Sequence, residues 1–379
     1  MASAGGYYAY VKAGHGKRLG IFTGMMYIFY QIMAISFVGL SMSVFVPAML
    51  SQVFNLNIPS YLWFVLLLAT LGLAFALSYS GIRESTRFSF VMAAIEMITV
   101  TVLGAILIVK SGNNTLSVFT PKYASGGLTG IALVTLFMYT ACAGFGNSTP
   151  LGEETKNAKT NISRALILTS VMLGAFFIFS AYAFTVAWGP AQMDTYASAL
   201  VPGVSLIYDK ISPYAAAFLA LLFINSLFTG AVVLTNSTSR VMFDMGRDGV
   251  LPQAISSVQG KRLTPHVAAF VTFFSALFIA SVSTLIIGGF NAFLLTATAA
   301  TLGTLLVHVI INLSMPSVIK NSGGTYGPID LLLAVAAVIV LAFVFYGTFL
   351  SISPPVVAGA LIFAAFTIAS VALALSKGR

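Results

Sequence analysis

The chemistry this sequence can do is concentrated in a few polar residues set in a very apolar chain. Glu96 sits in FVMAAIEMITVTVLG, and Asn225, Ser226 and Thr229 share a helix face by i, i+3 and i, i+4 spacing. A carboxyl and hydroxyls at membrane depth can hold a proton or a sodium ion. Their commoner use is hydrogen-bonding between helices. Between 141 and 147 the chain reads Ala141, Cys142, Ala143, Gly144, Phe145, Gly146, Asn147, with Pro150 following. Two glycines and a proline within seven residues open a helix. In hydrocarbon the freed N–H and C=O groups need a partner, so a broken span marks a small-molecule site. Backbone groups of 141–144, Phe145 as a covering ring and Asn147 as a side-chain contact are the candidates. The competing reading is a proline kink with no ligand.

Two charged clusters follow. Glu153 and Glu154 come directly after the interrupted helix, and Arg240, Asp244, Arg247 and Asp248 end a later span, with Arg240 and Asp244 spaced for an i, i+4 pair. They are either a solvated surface network or a gate whose pairs part when the site opens. His308, in LGTLLVHVIINL, is expected to pack with one satisfied hydrogen bond, and Cys142 to serve as a small residue. No phosphate-binding loop, paired-carboxylate centre or metal cluster is legible. No cofactor is expected, and one cysteine excludes an intrachain disulfide.

These residues need elements to hold them, and composition says which. The 379 residues are 59% hydrophobic and 7% charged, the profile of a polytopic, all-α membrane protein. Apolar runs predict ten transmembrane helices: 19–50, 60–79, 88–109, the interrupted one from 126 to 150, 165–188, 214–240, 266–287, 291–313, 331–350 and 354–374. A charged turn at 83–87 links the second and third. A long loop with Pro190, Asp194, Pro202, Asp209 and Lys210 joins the fifth and sixth. With the N-terminus in the cytoplasm, only Lys110, Lys122 and Lys210 of the 18 basic residues fall outside, so both termini are expected to be cytoplasmic, in the plasma membrane. The net charge of +9 is therefore read as orienting the chain in the lipid bilayer, not as binding nucleic acid.

Three segments resemble the amino acid–polyamine–organocation transporter family. They are ASAGGYYAYVKAGHGKRLGIFTG (2–24), GFGNSTPLGEETKNAKTNISRAL (144–166) and SRVMFDMGRDGVLP (239–252). The resemblance implies a leucine-transporter-type inverted-repeat fold moving amino acids or related amines by alternating access, by proton coupling or exchange, and no enzyme activity. Residues 1–109 would be the remnant of the first repeat, 126–313 the second repeat and 331–375 two extra helices, all in one domain (1–379). The chain departs from the family where Gly146 replaces a polar residue and where Ala158 and Ser163 replace prolines. It also begins about two helices late. The first family helix, which supplies half of the substrate site, would then come from a missing N-terminal segment or from a partner such as a homo-oligomer. Glu96 falls at or near the position where some proton-coupled members carry a lysine in place of sodium. With one acid at depth, a neutral or weakly charged amino acid fits better than a polyamine. The alternative is a degenerate paralogue serving as a membrane scaffold without transport.

Overall fold

A computed structural model describes residues 3–378 apart from 124–126, 128–129, 132–134, 136–137, 140, 142–143, 261–263, 322, 349 and 351–352. Among the described residues there is no strand, and nine helices are long and apolar enough to cross a membrane. In chain order the helices are α1 (Tyr7–His15), α2 (Lys17–Gln52), α3 (Leu62–Ser80), α4 (Ile82–Ser111), α5 (Ala158–Trp188), α6 (Met193–Ser198), α7 (Pro202–Lys210), α8 (Pro213–Arg247), α9 (His266–Ile287), α10 (Gly289–Asn321), α11 (Pro328–Thr348) and α12 (Pro354–Lys377). The fourth expected span, the interrupted one at 126–150, falls partly on residues outside the description. Those described between 127 and 141 are helical, as at Ile131, Tyr139 and Ala141.

α2 and α10 form the core of the bundle. They pack along one another, and α2 also meets α1, α3, α8, α9 and α12. Their most apolar windows are 56% and 61% buried, while that of α5 holds no fully buried residue. Small residues make the close approach possible: Gly24 faces Met245 and Gly39 faces Leu67, where any larger side chain would collide. Aromatic pairs fill the seams, with Phe29 stacked on Phe366 and Phe37 on Phe293.

Three expectations about the elements change. The charged stretch 83–87 is not a turn but part of the first turns of α4. At a membrane boundary a helix keeps its own backbone groups paired, so the ladder continues through the charged residues. α8 likewise runs to Arg247, seven residues past the expected end, because its last turns carry charge into the same boundary. The long loop after α5 contains α6 and α7, the second opening with Pro202 in its first turn, where the missing N–H costs nothing.

Candidate functional site

The interrupted segment positions the site. Ala141 is helical, Gly144 takes a φ of 105°, and Phe145–Leu151 forms a short 3-10 helix containing Pro150. A left-handed residue stops the α-helical ladder, and glycine takes that conformation without steric cost. Cys142 and Ala143 lie outside the described residues, as does the side chain of Phe145. Gly146 packs against Tyr7 so closely that a methyl group there would collide with the tyrosine hydroxyl.

A cavity of about 470 Å³ opens beside this turn. Gly144 and Asn147 line it from the turn, Tyr30 and Gln31 from α2, Ser89, Ala93 and Glu96 from α4, Ser226 and Thr229 from α8, and Thr301 and Thr304 from α10. Five of the sequence candidates, Glu96, Gly144, Asn147, Ser226 and Thr229, thus meet on one cavity. Ala141 and Gly146 are not among its lining residues. Among the described residues, Glu96 is its one ionisable acid or base apart from tyrosines. Asn225 Nδ2 donates to Glu96 Oε1 at 2.6 Å, and Thr229 Oγ1 donates to its own helix at Asn225 O and Ser226 O, both 3.1 Å.

Sequence reasoning passed over the residue that ties the turn to the bundle. Gln31 Nε2 donates toward Asn147 Oδ1 at 2.6 Å, Tyr27 Oη at 2.7 Å and Ser237 Oγ at 3.0 Å. Tyr27 Oη also donates to Asn147 Oδ1 at 3.3 Å. A neutral amide at the centre of α2 was the available signal. Below this cluster, Tyr139 Oη and His308 Nδ1 are 2.5 Å apart, and Tyr7 stands edge-on to both His308 and Tyr27. A second cavity of about 650 Å³, walled mainly by apolar groups such as Phe45, Met49, Phe176, Leu219 and Phe223, shares Ala93, Glu96, Leu173 and Ser226 with the first.

The charged cluster forms a rim on the face that carries α1 and the end of α8. Arg240, 4% exposed, donates from Nε and Nη2 to the two oxygens of Glu154 at 2.6 and 3.2 Å, and from Nη1 to Asn236 O at 2.8 Å. Arg247 donates to Glu153 Oε1 at 2.8 Å and to Asp244 Oδ1 at 2.5 Å. Lys12 and Tyr8 both reach Asp248, and the Ala4 amide donates to Glu153. The expected Arg240–Asp244 pair is therefore corrected. Arg240 turns inward to Glu154, where bidentate geometry and burial strengthen the pair, and Asp244 pairs with Arg247 at i, i+3. Hydrogen bonds from Arg247 hold the Glu153 carboxyl below the usual glutamate range. Burial alone would raise Asp248, but hydrogen bonds from Lys12 and Tyr8 outweigh it and keep that carboxyl below its ordinary value.

Comparison with known proteins places this arrangement. A family model described as "Amino acid permease" matches residues 1–375. The chain is 27% identical over 195 residues to the branched-chain amino acid permease BcaP of Bacillus subtilis, covering 51% of this chain and 40% of that protein. It is 25% identical over 330 residues to the low-affinity putrescine importer PlaP of Escherichia coli (83% of this chain, 67% of the importer). Against BcaP of Lactococcus lactis it is 21% identical over 345 residues, covering 85% and 70% respectively. The matched chain therefore spans between two fifths and seven tenths of the length of these relatives. With a model match along nearly its whole length, the chain belongs to the amino acid permease family.

Proposed function

We propose that the chain acts as a secondary transporter of amino acids or related amines, with the central cavity as its substrate site and alternating access as its mechanism. The observation that carries this reading is the convergence of Gly144 and Asn147, from the interrupted helix, with Glu96, Ser226 and Thr229 on one cavity. Backbone groups freed where a membrane helix is interrupted suit a carboxylate and an ammonium group, and the oxygens of the cavity threonines, whose hydrogens go to their own helices, supply further acceptors. The cavity has no cationic side chain among its described lining residues, and one carboxylate. That set matches one ammonium charge better than two, which favours a neutral amino acid, as in the branched-chain relatives, over a diamine such as putrescine.

Glu96 is the proposed proton site, with Ser226 and Thr229 as the sodium alternative. The rim of Glu153, Glu154, Arg240, Asp244, Arg247 and Asp248 is the proposed cytoplasmic gate, in a plasma-membrane protein with both termini inside. Residues 1–109 and 126–313 would be the two repeats and 331–375 the extra helices.

The test is uptake by the purified protein in vesicles, with labelled leucine, isoleucine, valine and putrescine as probes. Saturable uptake of a branched-chain amino acid is expected. Glu96→Gln should flatten its pH dependence, and an unchanged profile would remove Glu96 from coupling. Vesicles without uptake of any probe, whether the chain is alone or supplied with its relatives' first two helices, would favour the scaffold reading.

A further inference from the structure

A primary amide has two N–H donors and two acceptor positions on its oxygen. Gln31 engages its nitrogen fully, with Asn147, Tyr27 and Ser237 all within 3.0 Å of Nε2. Its oxygen, Oε1, has no partner among the described residues although the side chain is 0% exposed. Turning the amide over would give the oxygen the hydroxyls of Tyr27 and Ser237 but leave Nε2 bare in its place. The oxygen would then face Asn147 Oδ1, which already accepts from Tyr27. An acceptor left bare in a buried site is costly, and a buried polar group of this kind in a binding protein points to a missing partner. Gln31 also lines the central cavity, where Glu96 Oε1 already accepts from Asn225.

We infer that Gln31 Oε1 receives an N–H of the substrate's ammonium group, and that Gln31 thereby selects aminated substrates over otherwise identical molecules lacking the amine. The inference rests on the central cavity being the transport site. An ammonium brings three donors and requires acceptors held in place. Gln31 is held by its three nitrogen contacts, which span α2, α8 and the 3-10 turn. Recognition of the amine is thereby coupled through Asn147 to the segment that follows Gly144. A hydrogen bond built into a buried site discriminates strongly against ligands that cannot complete it, because the protein group then stays bare.

The experiment uses the full chain in vesicles and measures how labelled leucine uptake is inhibited by three probes. Valine has both polar groups, isoamylamine has the amine alone and isocaproate has the carboxylate alone. In Gln31→Leu the inhibition constants of valine and isoamylamine should rise by roughly tenfold or more, and that of isocaproate by less than about twofold. Gln31→Glu, which keeps an acceptor and adds charge, should move the preference toward isoamylamine. Binding of the same probes in detergent, followed by thermal shift, gives the same ratios without transport and serves for any variant with impaired turnover. An equal change for all three probes in both variants would reduce Gln31 to a structural tie and overturn the inference. Wild-type protein that neither transports leucine nor binds any probe would instead overturn the transport reading, and Gln31's role with it.

Discussion

The segment that follows Gly144 is held at two levels, and the chemistry differs between them. At the cavity, Asn147 joins α2 through neutral amide and hydroxyl bonds to Gln31 and Tyr27. A few residues later, Glu153 and Glu154 join α8 through ion pairs with Arg247 and Arg240. The contrast follows from the solvent at each depth. In a cavity that must exchange its contents, an unpaired charge is prohibitive, whereas an amide can trade one partner for another at modest cost. At the rim, Glu153, Glu154 and Arg247 keep side-chain exposures of 40%, 38% and 48%, so they can rehydrate when their pairs part. On the proposed function, the interior recognises and the rim opens.

With Asp244, Arg240 breaks this rule, being buried like an interior residue yet charged. Its loss should therefore have the largest effect. Arg240→Met removes two hydrogen bonds to Glu154 and one to Asn236 O, and charged hydrogen bonds of this type contribute about 1.5–3 kcal/mol each. Melting in detergent should fall clearly. A Thr304→Cys probe inside the cavity, in a Cys142→Ser background, should be labelled by a hydrophilic maleimide about tenfold faster. Arg247→Met, whose guanidinium is half exposed, should cost less than Arg240→Met, although it leaves the buried Asp244 without that partner. Equal losses from the two substitutions would erase the distinction between the buried and solvated halves of the rim.

Gly146→Ala tests the interior in the opposite sense, by adding an atom. The position where the resembling family carries a polar side chain is filled here by the Tyr7 hydroxyl. Overpacking of this kind costs about 1–3 kcal/mol, and the double variant Gly146→Ala, Tyr7→Phe should recover part of that loss in thermal melting. No recovery would mean that the turn, rather than Tyr7, sets the limit. Tyr139→Phe should do less. It removes one neutral hydrogen bond to His308, about 0.5–1.5 kcal/mol, and uptake should fall by less than about tenfold.

The sequence made some of this legible, and physical reasons account for the rest. Long apolar runs announced the spans, and His266–Ile287 was found at its observed limits because Pro265 and Gly288 bracket it. Ends were misplaced wherever a helix carried charge into the boundary layer, as at α4 and α8, since hydropathy falls there before the backbone ladder does. Glu96 and Asn225 were each singled out, but their contact joins residues 129 apart in the chain and no spacing rule reaches that far. Gln31 was missed for the same reason. Nothing near YQI says that Asn147 and Ser237 will meet it, and a lone amide in a span reads as glue between helices. The partner of Arg240 was misjudged because i, i+4 geometry was the only geometry a linear reading could supply.

The smallest expected effect is also the one that separates the two levels by pH. Glu153 and Asp248 both titrate below the ordinary carboxylate range, the first through Arg247 and the second through Lys12 and Tyr8 acting against burial. A group with a depressed pKa contributes its stabilisation at higher pH and loses it as pH falls through that depressed value. From about pH 5 upward the pairs made by Glu153 and Asp248 should therefore stay formed, and only stronger acid should loosen them. Glu153→Gln should lower stability by less than about 1 kcal/mol and alter only the acid limb of melting measured against pH. Across about pH 5 to 8, the uptake profile of this variant should overlay that of the wild type, because the Glu153 carboxyl stays ionised throughout that window. A Glu153→Gln profile displaced within that window would place the proton-sensitive step at the rim and undo the division of labour between the two levels.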